Sequence, residues 1–275
     1  MARSLTHSRV ANNSGAGISN HNFGTLTLTN SVVAHNSGVG IGSGGILVLT
    51  NSTVAYNSNG GIGAGGTATL TNARIVDNST AGEGGGIFNH ALSYCRSGAG
   101  VTLTNSTVSG NSAGRGGGIS NSGPCPAAVT LTNSTVARNS ATQEGGGIRQ
   151  VGSDETSSEI TNSLVAQNSA PTGPDVLTGP ESEVIARFNL IGDGSGSGIP
   201  NTDSNQVGTV SPNSSAIGPR LGPLADNGGP TRTDALLLGS PAIDAASTPD
   251  CPTTDQRGVL RPQGAACDIG SYERE

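Results

Sequence analysis

Side chains able to move a proton or hold a metal are sparse in this 275-residue chain. Between residues 1 and 170 the carboxylates are Asp77, Glu83, Glu144, Asp154, Glu155 and Glu159, and the imidazoles are His7, His21, His35 and His90. Cleaving a glycosidic bond takes two carboxyl groups on either side of it, one as acid and one as base or nucleophile. Aligned on the repeats described below, these acids share columns only loosely, and the histidines form no triad. Every basic residue is Arg, so mechanisms that need a lysine Schiff base or a lysine of lowered pKa are excluded. The sequence therefore predicts no catalytic, cofactor-binding or metal-ligating set, and the reading leans away from an enzyme. Cys95, Cys125, Cys251 and Cys267 lack the C-x-x-C spacing or nearby histidine pair of a zinc site. Three pairings are open to four cysteines, and proximity favours Cys95–Cys125 and Cys251–Cys267 as disulfides. Disulfides would place the chain in an oxidising compartment, extracellular or at the cell surface.

The elements that would position these groups must come from an unusual composition. Aromatic residues make up 2% of the chain and there are 44 glycines, without the strict triplet period of a collagen helix. A net charge of −6 argues against a nucleic-acid partner, which needs clustered cations. No apolar run reaches the roughly 20 residues of a membrane-spanning helix. The first ten residues, MARSLTHSRV, contain no apolar signal-peptide core, and the chain is expected to begin partway through a repeat.

That repeat is plain. Thr-Asn-Ser and its variants place an Asn at 30, 51, 72, 105, 133 and 162, with a second Asn six residues later at 36, 57, 78, 111, 139 and 168. Leu28, Leu49, Leu70, Leu103, Leu131 and Ile160 stand two before the first Asn, and Val33, Val54, Ile75, Val108, Val136 and Val165 three after it. A third apolar column follows each glycine run: Ile18, Ile41, Ile62, Ile87, Ile119 and Ile148. Side chains on a strand alternate between its faces, so these columns point inward, while Thr at 29, 50, 71, 104, 132 and 161 points out. Three short strands per repeat, none able to bury its own apolar face, predict an all-β, single-stranded parallel β-helix, with right-handed winding as the default. The first Asn keeps the parity of the inward Leu. Asn30, Asn51, Asn72, Asn105, Asn133 and Asn162 are therefore expected to form an internal amide ladder, because a buried amide must be paired.

The stretch LTNSTVSGNSAGRGGGI resembles the coils of bacterial surface proteins of the polymorphic outer-membrane-protein type. That resemblance covers roughly residues 5 to 192, and 1–192 is assigned to the β-helix. Inserts at 88–100, 120–128 and 149–159 fall at the same point of successive coils and should cluster on one edge. Residues 193–220 read as an irregular last coil or connector, and NTDS at 201–204 is similar to the Asn-Thr-Asp stretch of polygalacturonases without their other motifs.

Residues 221–275 form a separate unit. It contains Leu224-Ala225-Asp226-Asn227-Gly228-Gly229-Pro230, Ser240-Pro241-Ala242-Ile243-Asp244, Asp255-Gln256-Arg257-Gly258, Arg261-Pro262 and Cys267-Asp268-Ile269-Gly270. These elements resemble the choice-of-anchor Q domain of bacterial secreted and surface proteins, which implies a place after β-helix repeats and before an anchoring tail. The anchoring partner is not specified by the resemblance. Physically the unit reads as a cap over the solenoid's end, with Leu236, Leu237, Leu238, Ile243 and Ile269 as its cover and Asp226, Asp244 and Asp268 as turn-forming carboxylates.

Together these readings predict a non-catalytic secreted or cell-surface β-helix, a stalk or adhesin-like passenger that binds a glycan or a protein surface. The alternative is a polysaccharide-active lyase or hydrolase. A further alternative is ice binding through the outward Thr-x-Thr lattice, in which Thr27, Thr69, Thr102 and Thr130 lie beside the constant threonines.

Overall fold

The computed structural model describes residues 2–21, 24–90, 99–123, 125, 127–152, 156–209 and 215–275. Three parallel sheets carry the chain round and round. Sheet A stacks Ala2–Thr6, Thr25–Thr29, Ile46–Thr50, Thr67–Thr71, Ala99–Thr104, Ala127–Thr132, Ser157–Thr161 and Glu183–Arg187. Sheet B stacks Arg9–Ala11, Val32–Ala34, Thr53–Ala55, Arg74–Val76, Thr107–Ser109, Thr135–Ala137, Leu164–Ala166, Leu190–Ile191 and Gln206–Val207. Sheet C stacks Ile18–Asn20, Ile41–Ser43, Ile62–Ala64, Ile87–His90, Ile119–Ser122, Ile148–Gln150 and Val176–Thr178. Each turn of the solenoid visits A, then B, then C, so residues one repeat apart are hydrogen-bonded neighbours. Leu28 pairs with Leu49, Val33 with Val54 and Ile41 with Ile62.

The three aliphatic columns fill the interior. Leu49, Leu70, Leu103, Val54, Ile75, Val108, Ile87 and Ile119 are all fully buried in one continuous core. Small branched residues suffice because the three sheets face each other across a narrow lumen.

The amide ladder is in the interior, but it belongs to the other asparagine. Asn30, Asn51, Asn72, Asn105, Asn133 and Asn162 have φ between 43° and 53°. That left-handed conformation, which Asn tolerates better than most residues, forms the corner between sheets A and B. Strand alternation stops at such a residue, so parity counted through it fails, and the side chain turns outward. Asn30 is exposed. Asn72 reaches Asn51 and Asn162 reaches Asn133, each at 3.2 Å, but Asn105 instead donates to the carbonyl of Thr254.

The file six residues later forms the continuous ladder. Asn13, Asn36, Asn57, Asn78, Asn111 and Asn139 each donate Nδ2 to an Oδ1 in the next coil, and Asn168 closes the file by donating to Asp175 Oδ1, seven residues further along its own coil. The same Oδ1 also accepts the backbone N–H of the preceding rung. From Asn57 to Asn168 the second Nδ2 proton goes to the carbonyl of Val33, Val54, Ile75, Val108 and Val136 in turn. Each of these amides is thus fully satisfied, as a buried polar group must be.

Residues 221–275 do not lie over the end of the solenoid. They run along its flank, over the outer face of sheet B. Leu221, Leu236, Ala242, Ala246, Cys267 and Ile269 pack on Ala137, Leu164, Ala166 and Leu190, while Leu237 and Leu238 are exposed. Sheet B is apolar on both faces over these rungs, and the outer face requires cover as much as the inner one does. Polar contacts add register: Thr107 Oγ1 donates to Gln256 Oε1 at 2.7 Å, Ser271 N donates to Thr135 Oγ1 at 3.0 Å and Gly270 N donates to Asn162 O at 2.8 Å. The end of the solenoid is closed by the connector instead, where Ile199 enters the core and Val207 packs against it.

Within the flanking unit, Leu221–Ala225 and Thr233–Leu236 form an antiparallel pair, and a disulfide joins Cys251 to Cys267. Cys95 lies outside the described residues, so its expected pairing with Cys125 does too. The motifs of this unit form a buried ionic hub. Arg261 donates to Glu273 Oε2 at 2.7 Å and to the carbonyls of Asp268 and Gly270. Asp255 accepts from Arg257 and from the backbone of Glu273. Asp226, Asp244 and Asp268 take backbone N–H donors, as turn carboxylates do.

Candidate functional groove on sheet C

Outward positions of sheet C lie in register as Gly42, Gly63, Phe88, Ser120, Arg149 and Leu177. Just before this sheet, the residue ahead of each glycine triplet forms a second column. Glu83 bridges to Arg115, Arg115 is in register with Glu144, and Glu144 bridges to Thr172. The sequence does contain this signal, in GEGGGI at 82–87, GRGGGI at 114–119 and QEGGGI at 143–148. Searching for acids alone hides it, because the column alternates in sign and its middle member is an arginine.

The two columns are tied together by Arg149. Its Nε donates to Glu144 Oε1 at 2.7 Å and its Nη1 to Glu83 Oε2 at 3.3 Å, while Arg115 Nε lies 3.6 Å from Glu144 Oε1. Ser120 and Ser122 donate to Glu83 Oε2 at 2.9 and 2.8 Å. One oxygen of Glu83 therefore carries three donors. Gly145, at φ 65°, is what allows this corner: a Cβ there would sit 2.6 Å from Arg149 Cβ.

Beside the cluster lies a groove of about 350 Å³ lined by Val39, Gly42, Asn59, Gly63, Thr80, Glu83 and Phe88, among others. That volume is in the range of small-molecule sites. Its floor is made by the two glycines. A Cβ added at Gly63 would meet no atom within 4 Å, and one at Gly42 would meet only Val39 at an ordinary 3.7 Å. Neither has the positive φ that demands glycine. The fold does not require these glycines; the open floor does. Phe88 forms one wall, and its ring stacks on His90 with centroids 5.1 Å apart.

Elsewhere the predicted residues are dispersed. His7, His21 and His35 are exposed at separate corners of the first two coils, and His35 stacks on Tyr56 at 4.9 Å. Asp77 is exposed, Glu159 pairs with Arg187 at 3.2 Å, and Asp154 and Glu155 lie outside the described residues. Residues 201–204 form an exposed turn. The inserts leave sheet C at His90, Ser122 and Gln150, which places their starts on one edge; residues 91–98, 124, 126 and 153–155 are outside the described set. The threonine array of sheet A exists, with Thr27, Val48, Thr69, Thr102 and Thr130 in register, and it ends at Glu159.

Comparison with solved structures decides the architecture. A pectate lyase, Pel9A, superposes with a TM-score of 0.61 over 97% of this chain and 70% of that chain, at 16% identity. The chain has the parallel β-helix fold. At that identity the likeness speaks to fold alone. No family model matches the chain, and no curated protein matches it. Among the described residues no group of three or more His, Cys, Asp or Glu side chains is arranged to hold a metal ion.

Proposed function

We propose that the protein is an extracellular parallel β-helix that binds a saccharide chain in the sheet C groove without cleaving it. The observation that carries this reading is the floor at Gly63, where a side chain would fit without strain yet none is present. An aromatic wall and a fixed carboxylate beside an open trough suit a sugar, which offers an apolar ring face and hydroxyl donors. Among the described residues Glu83 is the only carboxylate lining the groove, and a hydrolytic pair needs two. The Cys251–Cys267 disulfide supports an oxidising location. So does the resemblance of residues 221–273 to choice-of-anchor Q domains, which also supports attachment at a cell surface.

A second reading, a polysaccharide-cleaving enzyme, is favoured by the fold shared with a pectate lyase. A glycan array combined with product analysis separates the two. Gly63→Leu fills the floor, and it should abolish saccharide binding while leaving the unfolding midpoint almost unchanged. Release of shortened or unsaturated products by the wild type would overturn the non-catalytic reading, and binding that survives Gly63→Leu would remove the groove from it.

A further inference from the structure

Resting on the groove as the saccharide site, we infer that its ligand is a neutral, hydroxyl-rich glycan rather than a polyuronate, and that Glu83 sets this specificity. The charges around the groove are already matched within the protein. Glu83, Arg115, Glu144 and Arg149 sum to zero, and each carboxylate has a guanidinium within 4 Å. Arg149 is nearly buried, its Nε and Nη1 held by Glu144 and Glu83. A ligand carboxylate would have to take Arg149 from partners that already satisfy it, and it would leave a half-buried Glu83 unpaired, a costly exchange.

Among the described residues, the groove lining offers no cation. Val39, Asn59, Thr80 and Phe88 are neutral, and Glu83 is negative. Among these residues a polymer bearing one carboxylate per ring would meet like charge at Glu83 and no cation to offset it.

Glu83 instead suits hydroxyl donors. Its Oε2 is fixed by Ser120, Ser122 and Arg149, which locks the rotamer and leaves the acceptor capacity of Oε1. An ionised acceptor held in place before the ligand arrives makes a charge-assisted bond to a sugar hydroxyl at little entropic cost. The rest of the lining supplies an amide at Asn59, a hydroxyl at Thr80 and a ring face at Phe88.

The test uses the full chain and defined hexasaccharides: xylohexaose, cellohexaose, laminarihexaose and mannohexaose on the neutral side, and hexagalacturonate on the anionic side. At least one neutral hexamer should bind at least about ten-fold more tightly than hexagalacturonate, with an affinity little changed between low and physiological salt. Glu83→Gln should weaken that neutral ligand by about ten-fold and narrow the gap to hexagalacturonate. Ser122→Ala, which loosens the carboxylate without removing it, should give an intermediate loss. Hexagalacturonate binding more tightly than every neutral hexamer, in a manner blocked by Gly63→Leu, would overturn this inference and leave the groove standing. Binding of none of the five, or binding indifferent to Gly63→Leu, would overturn the groove reading itself.

Discussion

The two asparagine files show how much a single backbone dihedral decides. Asn111 is fully buried and makes contacts with both adjacent rungs. Asn111→Ala should cost about 2–4 kcal/mol, because it strips Asn78 N and Nδ2 of their shared acceptor and opens a cavity. Asn30, exposed at φ 48°, should respond differently. Asn30→Ala should cost about 1 kcal/mol from the left-handed conformation alone, and Asn30→Gly should be close to neutral. Urea unfolding of the three variants checks the contrast, and equal losses for both alanine variants would contradict it.

Asp175 gives the second prediction at this scale. It receives Asn168 N and Nδ2 on one oxygen and Asp193 N at 2.6 Å on the other. Burial outweighs these donors and pushes its pKa up from 3.8 to about 6. The folded state then holds a proton that the unfolded chain has released between those two values. Its stabilising effect is complete below about pH 4 and is lost as pH rises through 6, a loss on the order of 3 kcal/mol. Asp268, also raised to about 6 by burial, acts in the same direction. Asp175→Asn cannot titrate, so the difference in urea midpoint between pH 4.5 and 7.5 should shrink relative to wild type. An unchanged difference would show that the carboxylate does not titrate in this window.

Among the elements, the strands and their inward columns were legible in the sequence because three aliphatic files recur in a fixed frame. Leu70, Ile75 and Ile87 could be placed in the core before any coordinates existed, and the structure buries all three. The choice of ladder asparagine was not legible, because alternation was counted through a left-handed residue. The placement of the C-terminal unit was also missed. Its signal is an outer column of sheet B, Ala34, Ala55, Val76, Ser109, Ala137 and Ala166, all buried, whose small and mostly apolar side chains call for cover on that side too. The groove was missed for another reason: a site built from missing side chains leaves no residue to notice, and Glu83, Arg115 and Glu144 share a column only when both signs are counted.

At the scale of the whole molecule, the solenoid and its flanking unit share sheet B, whose inner face lines one core and whose outer face lines the other. Leu164 is fully buried under the flank, with its neighbour Val165 in the lumen. Leu164→Asp should release residues 221–275 while the coils persist. The expected readouts are rapid hydrogen exchange in 221–275, slow exchange in the strands of sheet A, and new binding of an apolar dye. Loss of protection everywhere at once would mean that the flank and the coils fold as a single cooperative unit.

The second asparagine file also has a sense. From Asn57 on, every rung gives one amide proton forward to the next Oδ1 and the other back to a carbonyl of the coil behind, so any rung from Asn57 to Asn139 could be copied in place, and the duplicate would find a donor below and an acceptor above. Asp175 can receive but has no amide proton to pass on. A carboxylate reaching in from the same turn writes a full stop into the spiral, and length can be edited anywhere before it.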